Sequence, residues 1–282
     1  MATKLSDRIY GMIIGGALAD CMGTLVSYCP DIEVHSPYDA LNVHIQVGYW
    51  TEPTTLWLHH ALSDLDTAPS LEEISCTNVV QIEPSPCGSI ENTETETPVC
   101  NCNCLVTASV ASLMNFGDYS EVIRNCNPSR TSIFSCDACT SFCKLYASMI
   151  DSALHGRHKD EIINPIYYSN LVLRPGVLDI LVNFRNTSIN QLTGENTAYD
   201  ALLMATYCFK KTNSFREGLS MVVNNSLAPK WAGFLYGQIA GAYYGLTDMP
   251  ENWMDAVQDT ISLSLVARRA LYRIMPEEQS SA

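Results

Sequence analysis

Apolar residues recur at helical spacing along most of this chain, and no stretch alternates between apolar and polar positions as a half-buried strand would. The spacing predicts helices over residues 7–23, 51–65, 105–114, 137–155, 171–184, 198–210, 215–223, 232–245 and 255–274. Ser6 and Thr51 are suited to cap the first two of these helices. We therefore expect an all-α fold in which residues 1–282 form a single domain.

Two of the predicted helices carry a small residue at every fourth position. These residues are Gly11, Gly15, Ala19 and Gly23 near the N-terminus, and Gly233, Gly237, Gly241 and Gly245 near the C-terminus. Glycine inside a helix costs about 1 kcal/mol relative to alanine, so a repeated glycine needs a compensating contact. A smooth glycine face lets a second helix approach more closely than the usual distance of about 8–10 Å. We expect these two helices to form the central pair of the fold.

The same small-residue spacing is also typical of helix pairs in membranes. The second apolar run contains Gln238 and ends at Thr247, so it is shorter than the length of about 20 residues that a bilayer requires. We therefore expect no membrane as a partner.

The composition, the net charge and the N-terminal residues limit which partners and which cellular compartment are expected. Of the 282 residues, 47% are hydrophobic and 16% are charged, which is typical of a globular protein with an apolar surplus. The net charge of −14 argues against nucleic acid as a partner. The N-terminal residues lack the basic and apolar regions of a secretory signal, so we expect a cytoplasmic protein with reduced thiols.

The twelve cysteines are candidate zinc ligands. Cys136 and Cys139 have the spacing of one zinc knuckle, but no clear second knuckle accompanies them. We expect the cysteines to be mostly buried thiols, with zinc binding as the open alternative.

The stretch from Gln81 to Glu96 is polar and acidic, contains two prolines and has no apolar stripe. This composition predicts an exposed loop near residues 78–104. Because nothing in the stretch serves a core, residues 78–104 are a candidate segment for contact with a protein partner.

Both ends of the chain resemble the ADP-ribosylglycohydrolase family. The stretch Asp7–Gly23 (DRIYGMIIGGALADCMG) is similar to the first conserved block of that family. The stretch Gly237–Gly245 (GQIAGAYYG), followed by Met249, Pro250 and Trp253, is similar to its last block. The resemblance implies a compact orthogonal helical bundle. It also implies a site where two magnesium or manganese ions position an ADP-ribose whose N-glycosidic bond is cleaved.

The first acidic motif of the family, W-T-D-D-T, aligns with Trp50, Thr51, Glu52, Pro53 and Thr54. Glu52 replaces the first aspartate with a longer side chain. Pro53 replaces the second aspartate and offers no side-chain oxygen, although magnesium requires oxygen ligands. The first motif is therefore partly lost.

The second acidic motif, G-G-D-x-D-T, aligns with residues 226–231. Ala228 and Lys230 replace its two aspartates, and Trp231 replaces its threonine. An ammonium group is the opposite of a ligand for a dication. The resemblance therefore implies that the metal centre and the catalytic residues are lost, and we expect no cofactor.

Four further positions are candidates for a vestigial ligand cleft: Asp20, Trp50, Asn101 and Asn103. Asp20 matches an aspartate of the first block, and the two asparagines fall where the family has its G-N-G-A-x-M-R block. The alternative for Asp20 is a structural bond to the N-terminus of a neighbouring helix. The alternative for Thr51 and Glu52 is an ordinary helix cap and first turn.

Lys230 suggests a specific hypothesis about the former metal site. Its ammonium group fills the void left by the cations and pairs with Glu52 or Asp20 as an internal salt bridge. A Lys230 side chain that faces solvent would contradict this hypothesis.

These substitutions predict a catalytically inactive relative with a structural or protein-interaction role, such as a component of a cytoskeletal or other assembly. One alternative is a module that binds ADP-ribose or a nucleotide without hydrolysis, with Tyr10, Tyr49, Trp50 and Trp231 available to stack on a base. A second alternative is an active hydrolase with a rebuilt, metal-independent site. Such a site needs an acid and a base in one cleft, and only Glu52 and Asp20 are obvious candidates.

Overall fold

The structure is a computed structural model that describes residues 3–43, 46–65, 100–126, 137–183 and 186–275. In this part of the chain nine α-helices have seven or more residues: α1 Leu5–Tyr28, α2 Glu52–Ser63, α3 Asn103–Met114, α4 Tyr119–Asn125, α5 Asp137–Leu154, α6 Ala198–Lys211, α7 Phe215–Asn225, α8 Pro229–Tyr244 and α9 Thr260–Ile274. Short 3-10 helices and single α turns lie at Pro37–Val43, Lys159–Ile162, Pro165–Tyr168, Val177–Asp179, Ile180–Asn183, Ile189–Gln191, Leu246–Asp248 and Glu251–Met254. No strand occurs within these ranges, so the described chain is all-α as predicted.

The glycine faces of α1 and α8 pack against each other in an antiparallel arrangement, which confirms the predicted central pair. A Cβ atom on Gly237 would overlap the carbonyl oxygen of Gly15, and one on Gly241 would overlap that of Gly11. At the other end, a Cβ atom on Gly23 would overlap the backbone of Lys230. The two backbones are therefore in direct contact along most of their length, which only glycine permits.

The central pair lies at the middle of one apolar core. Helices α6, α7 and α5 pack against α8, while α9, α7 and α2 pack against α1. Helix α1 has the length and mean hydropathy of a membrane span, with a value of 1.6, but 94% of its apolar window is buried inside the fold. This burial is what a core helix with other helices on all sides requires.

The boundaries of two helices differ from the prediction because of the residues that flank them. Helix α1 begins at Leu5, before the predicted cap Ser6, and continues to Tyr28. Helix α9 begins at Thr260 and not near residue 255, because Asp259 adopts a left-handed conformation and accepts a hydrogen bond from the backbone N–H of Ser262 at 3.3 Å.

The predicted helix over residues 171–184 is wrong. Residues 171–176 are not helical, and only Val177–Asp179 and Ile180–Asn183 form short turns. Pro175 lacks the N–H that a helix needs, and Gly176 is left-handed with φ of +85°. Helix α4 was not predicted; its cap is Asp118, which accepts from the backbone N–H of Glu121 at 3.1 Å.

The prediction of an exposed loop near residues 78–104 is wrong for its last residues, 100–104. Residues 78–99 lie outside the described residues. Cys100, Cys102 and Cys104 are buried, and α3 already begins at Asn103. Thiols pack as small apolar groups, so the alternating cysteines fit a core.

Cysteines in the described part of the chain are thiols, and none of them forms a disulfide. Burial raises the pKa of the Cys126 thiol to about 12 and raises that of Cys102 as well. Such buried thiols are poor nucleophiles at neutral pH. The zinc alternative rests in part on Cys136, which lies outside the described residues.

The central contact is tested by replacing Gly237 with alanine. The new methyl group meets the backbone of Gly15, and overpacking of this kind costs about 1–3 kcal/mol. On helix propensity alone, alanine would stabilise α8 by about 1 kcal/mol relative to glycine. A net decrease in the free energy of unfolding would therefore identify strain between the two helices. Urea denaturation measures the free energy of unfolding.

Gly233→Ala is the matched control on the same helix, since its Cβ atom would meet the nearest atom, the Ala19 oxygen, at 3.1 Å. We expect this variant to be at least about 1 kcal/mol more stable than Gly237→Ala, because its neighbours need to shift only slightly. Equal stabilities would contradict the close contact.

Candidate functional site

Helices α2, α3, α6 and α8 begin close together at one end of the bundle. We call their first turns, with the residues just before them and the neighbouring Asp20 of α1, the rim. The salt bridge of Lys230 to Glu52 joins α8 to α2. An isolated β-bridge between Asn101 and Thr197 joins the start of α3 to the start of α6. Helix N-termini carry partial positive charge, so the rim favours carboxylates and other anions.

Asp20 of α1 lies on the rim next to the first turn of α2. Its carboxylate is fully buried and accepts hydrogen bonds from the backbone N–H groups of Thr51 at 2.8 Å and Thr54 at 3.2 Å. The hydroxyl groups of the same two threonines donate to it at 2.7 Å each. Asp20 on α1 therefore caps α2 from outside, as the structural alternative predicted.

This arrangement assigns the threonines a role that differs from the prediction. Thr51 stands at the cap position of α2, but its hydroxyl group donates to Asp20 and accepts no hydrogen bond from the α2 backbone. Burial raises the pKa of the Asp20 carboxyl, and the hydrogen bonds from Thr51 and Thr54 oppose that rise. Both carboxylate oxygens accept hydrogen bonds at the start of α2, so the structure assigns Asp20 a structural role there.

Lys230 and Glu52 form the salt bridge that the sequence suggested. The Lys230 Nζ lies 2.6 Å from the Glu52 Oε2, and the two side chains are 29% and 32% exposed. Gly23 allows this approach, because it lets the backbone at the start of α8 lie directly on α1. Of the two predicted partners, Lys230 pairs with Glu52 and not with Asp20. The side chain of Lys230 is therefore turned inward from open solvent.

The other positions of the two motifs supply no metal ligands. Pro53 is buried in the first turn of α2, Ala228 precedes α8, and Trp231 is buried with 4% exposure. In the described ranges no group of three or more His, Cys, Asp and Glu side chains is placed to hold a metal ion. The residues present at the rim do not fit two divalent cations, which need several carboxylate oxygens.

Aromatic residues expected to stack on a base are mostly unavailable for that role. Trp50 is fully buried, and its Nε1 donates to the carbonyl oxygen of Gln258 at 3.0 Å. Trp231 is buried as well. Tyr10 lies ten residues before Asp20 on α1, about 15 Å from the rim along the helix. These three predictions are wrong, while Tyr49 remains half-buried beside Trp50.

Asn101 and Asn103 lie together at the start of α3. The Oδ1 atom of Asn101 accepts from the backbone N–H of Asn103 at 2.9 Å, so Asn101 acts as a local cap. The Oδ1 atom of Asn103 is buried and accepts no hydrogen bond from any residue that the structure describes. Both predicted residues therefore lie on the rim, and the Oδ1 atom of Asn103 is a buried acceptor whose hydrogen-bonding capacity is unused within the described residues.

A groove of about 420 Å³ lies beside the rim and was not predicted. The lining residues are Val182, Asn186, Thr187, Gln191, Leu192, Thr193, Tyr199, Asp200 and Leu203. The groove is held against the start of α8, because the backbone N–H of Leu227 donates to Thr193 at 2.8 Å and that of Ala228 donates to Gly194 at 2.9 Å. No periodicity or motif in residues 186–197 signals it.

Comparisons with known proteins agree with the resemblance at both ends of the chain. The sequence model of the family described as ADP-ribosylglycohydrolase matches residues 1–280. The chain is 28% identical over 122 residues to the ADP-ribosylarginine hydrolase Tri1 of Pseudomonas putida (strain GB-1), an alignment that covers 43% of this chain and 32% of that protein. This alignment therefore spans about a third of that relative.

A second relative is aligned over more of its length. The ADP-ribosylarginine hydrolase Tri1 of Serratia proteamaculans (strain 568) is 18% identical over 301 residues, covering 96% of this chain and 81% of that protein. A solved structure described as an ADP-ribosylglycohydrolase-related protein complex matches with a TM-score of 0.75 and 20% identity, over 96% of this chain and 98% of that chain. The structural match confirms the predicted helical bundle fold.

The role of Asp20 is tested by replacing it with alanine. The substitution leaves the buried N–H and hydroxyl groups of Thr54 without their acceptor, and each unpaired buried group costs about 1–3 kcal/mol. We expect a loss of at least about 2 kcal/mol in the free energy of unfolding, measured with urea.

Asp7→Ala is the matched control, because Asp7 on the same helix also accepts from a threonine N–H and hydroxyl, those of Thr247, but at an exposed position. Water replaces these bonds, so a loss below about 1 kcal/mol is expected. If both variants lost the same stability, Asp20 would not be the buried cap described above.

Proposed function

Since the chain belongs to the ADP-ribosylglycohydrolase family, we propose that it retains the helical body of that family without its hydrolytic chemistry. In this proposal it is a structural or protein-interaction component of a larger assembly in the cytoplasm. The observation that carries the proposal is the salt bridge of Lys230 to Glu52, two residues that the resemblance aligns with the family's two acidic motifs.

Electrostatics explains why this salt bridge argues against a metal centre. An ammonium group a few ångströms from a dication is repelled by it, and the repulsion is strong where water is partly excluded. The carboxylate of Glu52 is neutralised by Lys230 and has little remaining attraction for a cation. With Asp20 engaged by α2, no carboxylate of the two motif regions is left to hold a metal.

The same contacts argue against a rebuilt, metal-independent site. General acid–base catalysis needs two groups that are free to exchange protons with a substrate. Asp20 is fully buried under the threonines of α2, and Glu52 is paired with Lys230. Both contacts therefore argue against proton transfer by Asp20 or Glu52.

A second candidate function is binding of ADP-ribose or a nucleotide without hydrolysis. The groove beside the rim favours it, because Asn186, Gln191 and Asp200 offer polar groups next to the ring of Tyr199. The unpaired Oδ1 atom of Asn103 is a further acceptor on the rim. Small-molecule sites commonly combine a concave surface with a few polar groups of this kind.

An assay of ADP-ribose release tests the proposal. The purified protein is incubated with a peptide ADP-ribosylated on arginine, with magnesium, with manganese, and with a chelator. We expect no ADP-ribose above the blank in any condition, because neither Asp20 nor Glu52 is free to hold a metal or to transfer a proton. The ADP-ribosylarginine hydrolase Tri1 of Serratia proteamaculans serves as the positive control.

Two results would contradict the proposal. Release of ADP-ribose that requires a metal would mean that the rim still forms a metal centre. Release that persists with the chelator and is lost in Glu52→Gln would mean that the site has been rebuilt around that carboxylate.

A further inference from the structure

The outer face of α9 carries a stripe of exposed large side chains. Ile261, Leu265 and Tyr272 are 82%, 41% and 62% exposed. At 3.6 residues per turn these three side chains point within an arc of about 40° and extend over about 16 Å of the helix. We call Ile261, Leu265, Arg268 and Tyr272 the α9 stripe, because Arg268 falls on the same line and is exposed.

The opposite face of α9 is anchored in the core. Its buried residues are Leu263, Val266, Ala267, Ala270 and Leu271, and they pack on α1 and α2. The start of the helix is fixed as well, since the backbone N–H of Gln258 donates to Gly48 at 3.0 Å. The α9 stripe is therefore presented by a helix that is held in place, which favours its use as a binding surface.

The charge of α9 is opposite to that of the whole chain. The chain has a net charge of −14, but residues 260–275 contain three arginines and no acidic residue. Arg268 and Arg273 are exposed, and neither forms an ion pair with any residue in the described part of the chain. The local chemistry of this surface is thus an apolar stripe with an exposed arginine at its centre.

We propose that the α9 stripe binds an amphipathic helix of a protein partner, with acidic residues placed opposite Arg268 and Arg273. This inference deepens the proposed interaction role and rests on it. Burying Arg268 without a carboxylate partner would be strongly unfavourable, so the partner must supply one. Three apolar side chains over three helical turns fit the spacing of a helix that packs along α9.

Two other occupants fit the surface less well. A second copy would place α9 against α9 about a twofold axis, and the arginines of both helices would face each other without an acidic residue between them. An anionic membrane would attract Arg268 and Arg273, but residues 260–275 contain only three arginines, fewer than the clusters of about four to eight basic residues that are typical of lipid-binding surfaces. Repulsion of an acidic helix by the rest of the chain is screened beyond about 8 Å at physiological salt, so the nearby arginines decide the outcome.

Binding of two synthetic peptides to the full-length protein tests the inference. The acidic peptide is a helix with leucines at the spacing of the α9 stripe and glutamates beside them, and the basic peptide carries lysines in place of the glutamates. Fluorescence anisotropy should show the acidic peptide binding at least about tenfold more tightly than the basic one. Arg268→Glu should reduce this preference, and Ile261→Asp should weaken binding of the acidic peptide by a similar factor.

Ile166→Asp is the matched control, because Ile166 is 74% exposed in a segment outside α9. Equal binding of the two peptides, or equal loss with Ile166→Asp, would overturn the inference. So would a dimer in light scattering, or binding to vesicles of phosphatidylserine and phosphatidylcholine, that Leu265→Asp abolishes. An active hydrolase that binds the acidic peptide would refute the proposed function alone, while an inactive protein that binds neither peptide would refute this inference alone.

Discussion

The backbone contact between α1 and α8 determines where every other part of the candidate site lies. Gly15 and Gly237 let the two helices touch without side chains between them, and Gly23 extends the contact to the first turn of α8. The contact places Asp20 and Lys230 on the same rim although they are far apart in sequence. A side chain at any of these glycines would separate the helices and displace the rim, because the nearest atom that it meets in each case belongs to backbone and cannot rotate away.

Two interactions hold the rim together and differ in strength: the hydrogen bonds of Asp20 and the salt bridge of Lys230 to Glu52. Asp20 is buried and accepts four hydrogen bonds from Thr51 and Thr54, so it fixes α2 to α1. Lys230 and Glu52 are about one-third exposed, and a salt bridge at such a position contributes at most about 1 kcal/mol. The rim therefore depends on Asp20 for its stability. Lys230 mainly sets the local charge, and that charge is unfavourable for a cation.

Some of this architecture could be predicted from the sequence because its physical cause is local. The four-residue spacing of glycines has few explanations other than close packing of helices, and the swap of an aspartate for Lys230 reverses a charge whatever the surroundings. Burial of Trp50 could not be predicted, since an aromatic side chain suits a core as well as a ligand site. The groove beside Thr193 depends on how a loop without periodicity packs against α8, and no residue type in it signals that packing.

Isothermal titration of the purified protein with manganese and with ADP-ribose, separately and together, tests the central claim most directly. The exchange of metal ligands for the salt bridge of Lys230 to Glu52 predicts no heat from manganese and no effect of manganese on any binding of ADP-ribose. Binding of ADP-ribose alone would be consistent with a retained groove. Stoichiometric manganese binding, or ADP-ribose binding that requires manganese, would contradict the account of a lost metal centre.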